Sequence, residues 1–291
     1  MKKVFKTIIA IFAALIAISY VFGYQYLFKG ISKTYLRGET SATIDDGPLF
    51  TNSPIHAGKP RPWIKDSAYN TKKLPKILVE DLTNTNTAAF VVIKDGKILH
   101  EEYWDGYGPT SKTNSFSMAK GITSLLMGKA IDEGKFKSEN QKISDFYENY
   151  KNIPFGKEAT IKNLVTMEAG LDWDEAYYNP FGPNAKAYYG NSLAETTLLR
   201  GFKDKPGTKF EYQSGATQLL GFVLRKAINQ PIASYATHKL WAPLGMEQNA
   251  YWSTDDNNME KTFCCIHSNA KDYAKIGQLM LNNGKVDSTQ I

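Results

Sequence analysis

The apolar positions divide the chain into unlike stretches. Residues 7–28 carry no charge and hold the densest apolar run, IIAIFAALIAI. Residues 31–75 are rich in Gly, Pro, Ser, Thr and Asn without sustained periodicity, which reads as an extended lead-in. Regular structure starts at AAFVVIKDGKILHEEYW. There an apolar run over 88–93, an Asp95-Gly96 turn and a second run over 98–104 predict a hairpin. In SMAKGITSLLMGKAIDEG, Met118, Ile122, Leu125, Leu126, Ala130 and Ile131 recur at helical spacing, and Gly134 closes the helix. The same periodicity predicts helices near 160–168, 192–201, 214–229, 232–240 and 269–282.

Strands come first and helices follow, with no βαβ alternation, so a doubly wound parallel sheet is not expected. The simplest division is a membrane anchor or signal segment over 1–30, the lead-in over 31–75, and one domain over 76–291. The charge-free stretch at 7–28 is long enough for a transmembrane helix, which needs roughly 20 apolar residues. Tyr20, Phe22, Tyr24, Tyr26 and Phe28 suit an interfacial belt. A cleaved signal peptide is the alternative, because Lys2, Lys3 and Lys6 form a suitable leading region. The expectation is a single-pass protein of the inner membrane with its domain on the extracytoplasmic side, or a secreted one if the segment is cleaved.

Composition excludes more than it proposes. With 42% hydrophobic and 22% charged residues, the 291-residue chain is neither disordered nor collagen-like. Its net charge of +6 is concentrated in Lys2, Lys3, Lys6 and Lys29, so no basic stripe marks the domain as a nucleic-acid binder. His56, His100, His238 and His267 are scattered, with no HExxH and no CxxC pair, so no metal is expected. No GxGxxG, P-loop or GxSxG occurs, and no cofactor is expected. Cys264 and Cys265 are adjacent, and neighbouring cysteines bridge only with a strained peptide. They read as two small buried hydrophobes.

One constellation carries chemistry. Ser117-Met118-Ala119-Lys120 is an S-x-x-K at the start of the 117–134 helix. A serine hydroxyl needs a neighbouring base to act as nucleophile, and a spacing of three puts Lys120 on its face one turn away. The helix N-terminus adds partial positive charge that favours a developing alkoxide. The other S-x-x-K, Ser268 to Lys271, reads as an N-cap at Ser268. After the Pro206-Gly207 turn, Tyr212-Gln213-Ser214-Gly215 leads into a helix, where Tyr212 can face a cleft and shuttle protons.

These blocks resemble the penicillin-recognising serine hydrolases: class C β-lactamases, D-alanyl-D-alanine carboxypeptidases, and related esterases and 6-aminohexanoate-dimer hydrolases. The resemblance rests on NSFSMAKGITSLLMGKAIDEG, IKNLVTMEAGLDW, the stretch from PGTKFEYQSG to APLGM, and HSNAKDYAKIGQLMLNNG. Its wording leans toward the 6-aminohexanoate-dimer hydrolases. It implies an α+β fold, an antiparallel sheet flanked by a mainly helical region. It also implies Ser117 as acylated nucleophile, Lys120 as the base beside it, and Tyr212 as the proton carrier. Trp173, Tyr177 and Ser214 would contact a small amide, ester or peptide-like substrate. The family's Lys-Thr-Gly or His-x-Gly strand has no counterpart after residue 246, and His56-Ala57-Gly58 precedes the first strand. A C-terminally incomplete domain is therefore expected. A catalytically inactive ligand sensor and an inactive truncated fragment are the alternatives to a working hydrolase.

Overall fold

The computed structural model describes residues 2–291, the side chains at positions 2, 8, 9, 12 and 15 excepted. The chain opens with helices α1 (Lys2–Val21) and α2 (Tyr26–Lys33), then strands β1 (Asn52–Ile55) and β2 (Ile64–Lys65) and helix α3 (Lys76–Asn84). Strands β3 (Ala89–Lys94), β4 (Lys97–Tyr103) and β5 (Thr113–Asn114) lead to helix α4 (Met118–Asp132). Helices α5 (Ile161–Val165), α6 (Pro183–Tyr189), α7 (Leu193–Thr197), α8 (Ser214–Ile228) and α9 (Ile232–Ala236) fill the middle. Strands β6 (Ala250–Ser253) and β7 (Ile266–Ser268), helix α10 (Ala270–Leu281) and the short pair β8 (Lys285–Val286) and β9 (Thr289–Gln290) complete it.

Two larger sheets result. One is antiparallel in the order β1-β6-β7-β5. The other is the β3–β4 hairpin, with β2 added parallel to β4. Asp95 and Gly96 both take positive φ (50° and 73°), the backbone of a tight hairpin turn matched to strand twist. Helix α8 is buried continuously from Ser214 to Leu224. A helix apolar all round must be surrounded, and α4, α5, α6, α7 and α9 all pack on it. Gly221 lets that crowding occur, since a Cβ there would overlap Thr262.

Several expectations need correction. The 192–201 helix is only Leu193–Thr197, and the 232–240 helix passes after Ala236 into a wider π-helical turn. The cap of α10 is Asn269, whose side chain accepts from Asp272 N, not Ser268. Residues 31–75 supply β1 and β2. At an exposed sheet edge β1 tolerates Pro54, which hid it in the sequence.

The single transmembrane span or signal over 7–28 finds no support. Among the described residues no helix is long and apolar enough to cross a membrane; four positions of the run itself lie partly outside the description. The stretch is also divided. Gly23 takes φ 72° between α1 and α2, and α2 turns onto the domain. There Tyr26 is buried with its hydroxyl donating to Pro180 O (3.0 Å), Tyr24 meets Phe181 edge-on, and Lys29 pairs with Asp256 (3.0 Å). Part of the expected interfacial belt is thus packing surface.

Cys264 and Cys265 are buried as expected but are joined in a disulfide, not free. Cys265 takes φ 76°, which brings the adjacent side chains to the same side of the loop.

His267, on β7, is fully buried and stacked on Tyr251 (centroids 4.7 Å apart). Ser253 Oγ donates to Asn52 Oδ1 (2.8 Å), so it accepts from His267 Nε2 (3.0 Å), and Nδ1 has no partner among the described residues. Burial first, and the Lys261 charge second, push this imidazole down to about 4. An unfolded histidine titrates near 6.5, so below that pH the unfolded chain binds a proton the folded chain refuses. Stability is therefore complete above about pH 6.5 and falls as pH drops toward 4. His267→Gln should remove about 2 kcal/mol of the stability lost between pH 7 and 4.5. Urea unfolding at both pH values measures it, and parallel losses in the two proteins would refute the assignment.

Candidate active site

Ser117 is the N-cap of α4, and the turn that presents it is held from several sides. Phe116 before it has φ 41°, an unfavourable backbone for a bulky residue. Asn114 Oδ1 accepts Phe116 N–H (3.0 Å), Ser115 N donates to Ile266 O (2.7 Å), and Ile266 N donates to Ser115 Oγ (3.2 Å). Asn114 Nδ2 in turn donates to the Tyr188 hydroxyl (3.3 Å), which donates to Asp46 Oδ2 (3.0 Å). Desolvation, with the Asp46 charge next, raises Tyr188 well above the ordinary phenol range, so it remains a donor.

Lys120 is buried one turn into α4. Its Nζ lies 3.0 Å from Ser117 Oγ and 2.9 Å from Phe263 O, and 4.9 Å from the centre of the Tyr212 ring. The structure thus brings together Ser117, Lys120 and Tyr212. Tyr212 remains partly open to solvent, on an extended segment stitched to the 167–175 loop. Glu211 N donates to Met167 O (2.8 Å), Gln213 Nε2 to Leu171 O (2.7 Å), and Ser214 N to Glu175 Oε2 (2.7 Å).

The three expected substrate contacts fare differently. Trp173 is 1% exposed, with its indole donating to Asn184 Oδ1 (2.9 Å) and packed against the start of α8. Ser214 is also 1% exposed and donates to Glu175 Oε1 (2.6 Å). Both are internal supports of the Tyr212 segment. Tyr177 is 70% exposed, and its hydroxyl also donates to Glu175 Oε1 (2.7 Å). Burial of that hydroxyl, then the Glu175 bond, raise its pKa. Sequence reasoning missed Glu175, Asn114, Asp46 and the Phe263 carbonyl. Each has at least one partner 39 or more residues away along the chain, and no local pattern marks that contact.

Beside Ser117, an apolar cavity of about 850 Å³ runs between α4 and α10, lined by Met118, Gly121, Ile122, Leu125, Ile276 and Met280. Among the described residues no cluster of His, Cys, Asp and Glu could hold a metal ion.

The Beta-lactamase family model covers residues 76–291, and the chain belongs to that family. It is 23% identical over 219 residues to the 6-aminohexanoate-dimer hydrolase of Paenarthrobacter ureafaciens, a match spanning 71% of this chain and 55% of that one. To Protein flp of Staphylococcus aureus strain N315 it is 25% identical over 205 residues, spanning 64% and 39%. The chain therefore spans 55% or less of these curated relatives. A solved Bacillus anthracis structure, provisionally described as a 6-aminohexanoate-dimer hydrolase, superposes with a TM-score of 0.74. It is 21% identical, with 92% of this chain and 71% of that one covered. Likeness at this identity establishes the β-lactamase/transpeptidase-like α+β fold.

Gly215 tests how tightly this segment is built. A Cβ there would run into the Trp173 indole. Gly215→Ala should cost about 1–3 kcal/mol through overpacking, read as a lower urea midpoint; an unchanged midpoint would mean the indole is free to move.

Proposed function

We propose that the chain is a serine hydrolase that cleaves an amide or ester through an acyl-enzyme on Ser117. The observation that carries this reading is the 3.0 Å contact between Lys120 Nζ and Ser117 Oγ, with the Tyr212 ring beside the same amine. In its neutral form, Lys120 takes the Ser117 proton as Oγ attacks the substrate carbonyl. The main-chain N–H of Ser117, without an acceptor among the described residues, is the donor this reading assigns to the oxyanion. Collapse of the tetrahedral adduct breaks the bond to the leaving amine or alcohol, which receives its proton through Tyr212. Water then attacks the acyl-serine, and the released proton returns to Ser117 Oγ by the same groups. The substrate is a small amide, ester or peptide-like molecule, as the names of the relatives suggest. Met118, beside Ser117 in the lining of the apolar cavity, and the exposed Tyr177 are the side chains assigned to meet the substrate.

A fluorophosphonate probe should label Ser117, and p-nitrophenyl esters should turn over. Ser117→Ala should abolish labelling, and Lys120→Ala should slow it roughly 10²–10⁴-fold, the range for loss of a general base. Equal labelling of Ser117→Ala would overturn the proposal. Tight ligand binding with no labelling and no turnover would favour a sensor instead.

A further inference from the structure

Lys120 has a second anchor, and that anchor sits at a covalent feature no part of the proposed reaction uses. Its Nζ donates to Phe263 O (2.9 Å), the carbonyl immediately before the Cys264–Cys265 disulfide. The loop around it is fixed on both sides. Cys264 O accepts from the Trp252 indole (3.0 Å), and Cys265 O from Ser253 N (2.8 Å). Upstream, Thr262 N donates to Gln218 Oε1 (3.0 Å), and Thr262 O accepts from Thr123 Oγ1 (3.2 Å) on the same helix as Lys120. Between these ends the Phe263–Cys264 peptide donates from Cys264 N to Lys261 O (3.0 Å) and accepts from Lys120 at Phe263 O. Cys265 beyond it holds φ 76°, a backbone unfavourable for a non-glycine residue unless its surroundings hold it.

We propose that the Cys264–Cys265 disulfide is a positioning element for Lys120: it sets the direction of the Phe263 carbonyl and makes the lysine's placement against Ser117 dependent on thiol redox state. Reduction by a dithiol transfers two electrons and two protons to the pair, giving two thiols and the disulfide of the reductant. The link that holds Cys265 at positive φ is then gone. The 263–265 peptides then rest on hydrogen bonds alone, and the Phe263 carbonyl turns from Nζ, which loses part of its hold opposite Ser117. The proposal rests on the acyl-enzyme reading for its consequence, though not for its geometry.

The test compares air-oxidised protein with protein treated with excess dithiothreitol, free thiols being counted by alkylation and mass. In the oxidised form no thiol should alkylate. In the reduced form two should, and fluorophosphonate labelling of Ser117 should slow roughly ten- to a hundredfold, the scale of a displaced catalytic group. Reoxidation should restore the rate, and C264S/C265S should be slow and indifferent to reductant. The Lys120 Nζ resonance in a 15N-lysine sample should move on reduction whether or not the probe reacts. If the oxidised protein is never labelled, the acyl-enzyme reading fails while that resonance still decides this one. Two free thiols in the air-oxidised protein would overturn the proposal. So would an unmoved resonance with an unchanged rate, or loss of the cooperative thermal transition on reduction.

Discussion

A buried amine needs acceptors for its hydrogens, and much of this molecule is arranged around supplying them to Lys120. One acceptor is three residues back along the same helix; the other is a main-chain carbonyl 143 residues further on. The first needs only helical geometry. The second requires the β6–β7 loop to pass over α4 with one peptide facing inward, and the loop carries an unusual number of bonds for its length. Gln218 from α8 holds both Glu260 O and Thr262 N, Trp252 holds Lys261 O and Cys264 O, and Thr123 holds Thr262 O. Lys261 lies fully buried against the Phe50 ring, and burial pushes its amine well below the ordinary lysine range. Helix α8 is the common support, since its N-terminus carries the Tyr212 segment and its middle grips this loop.

The turn that presents Ser117 obeys a second constraint. A phenylalanine at φ 41° persists only where its surroundings over-determine it. Asn114 and Ser115 do this by closing the turn onto β7, and Asn114 passes the load through Tyr188 to Asp46. Arg37 and Thr43 then reach the same carboxylate (3.7 Å and 2.8 Å). The shape of the turn before Ser117 is therefore tied to residues ahead of the stretch that the family model matches.

What could be read from the sequence follows the range of each interaction. The hairpin was legible because Asp95-Gly96 and the flanking apolar runs are local, and α4, α8 and α10 because their apolar spacing is. Ser117 and Lys120 were legible as a helical pair. The Tyr212 segment was legible as an extended stretch between a Pro-Gly turn and a helix. Strand β1 was not, since NSPI has neither length nor alternation and is a strand only because β6 lies beside it. Trp173 and Ser214 looked like ligand contacts, but burial is set by what the fold places over them, and α8 with the 167–175 loop covers both. The disulfide ran against the cost of bridging neighbouring cysteines, and Cys265 meets that cost with a positive φ.

The chain from Asp46 through Tyr188 and Asn114 to Phe116 N has a consequence for where the functional unit begins. The family match starts at residue 76, yet a protein trimmed there would lack β1 from one sheet and β2 from the other. It would also lack the carboxylate at which the Tyr188 relay ends. The stretch matched by the family model thus begins inside both larger sheets, and the amino-terminal arm is part of the scaffold that holds the turn before Ser117.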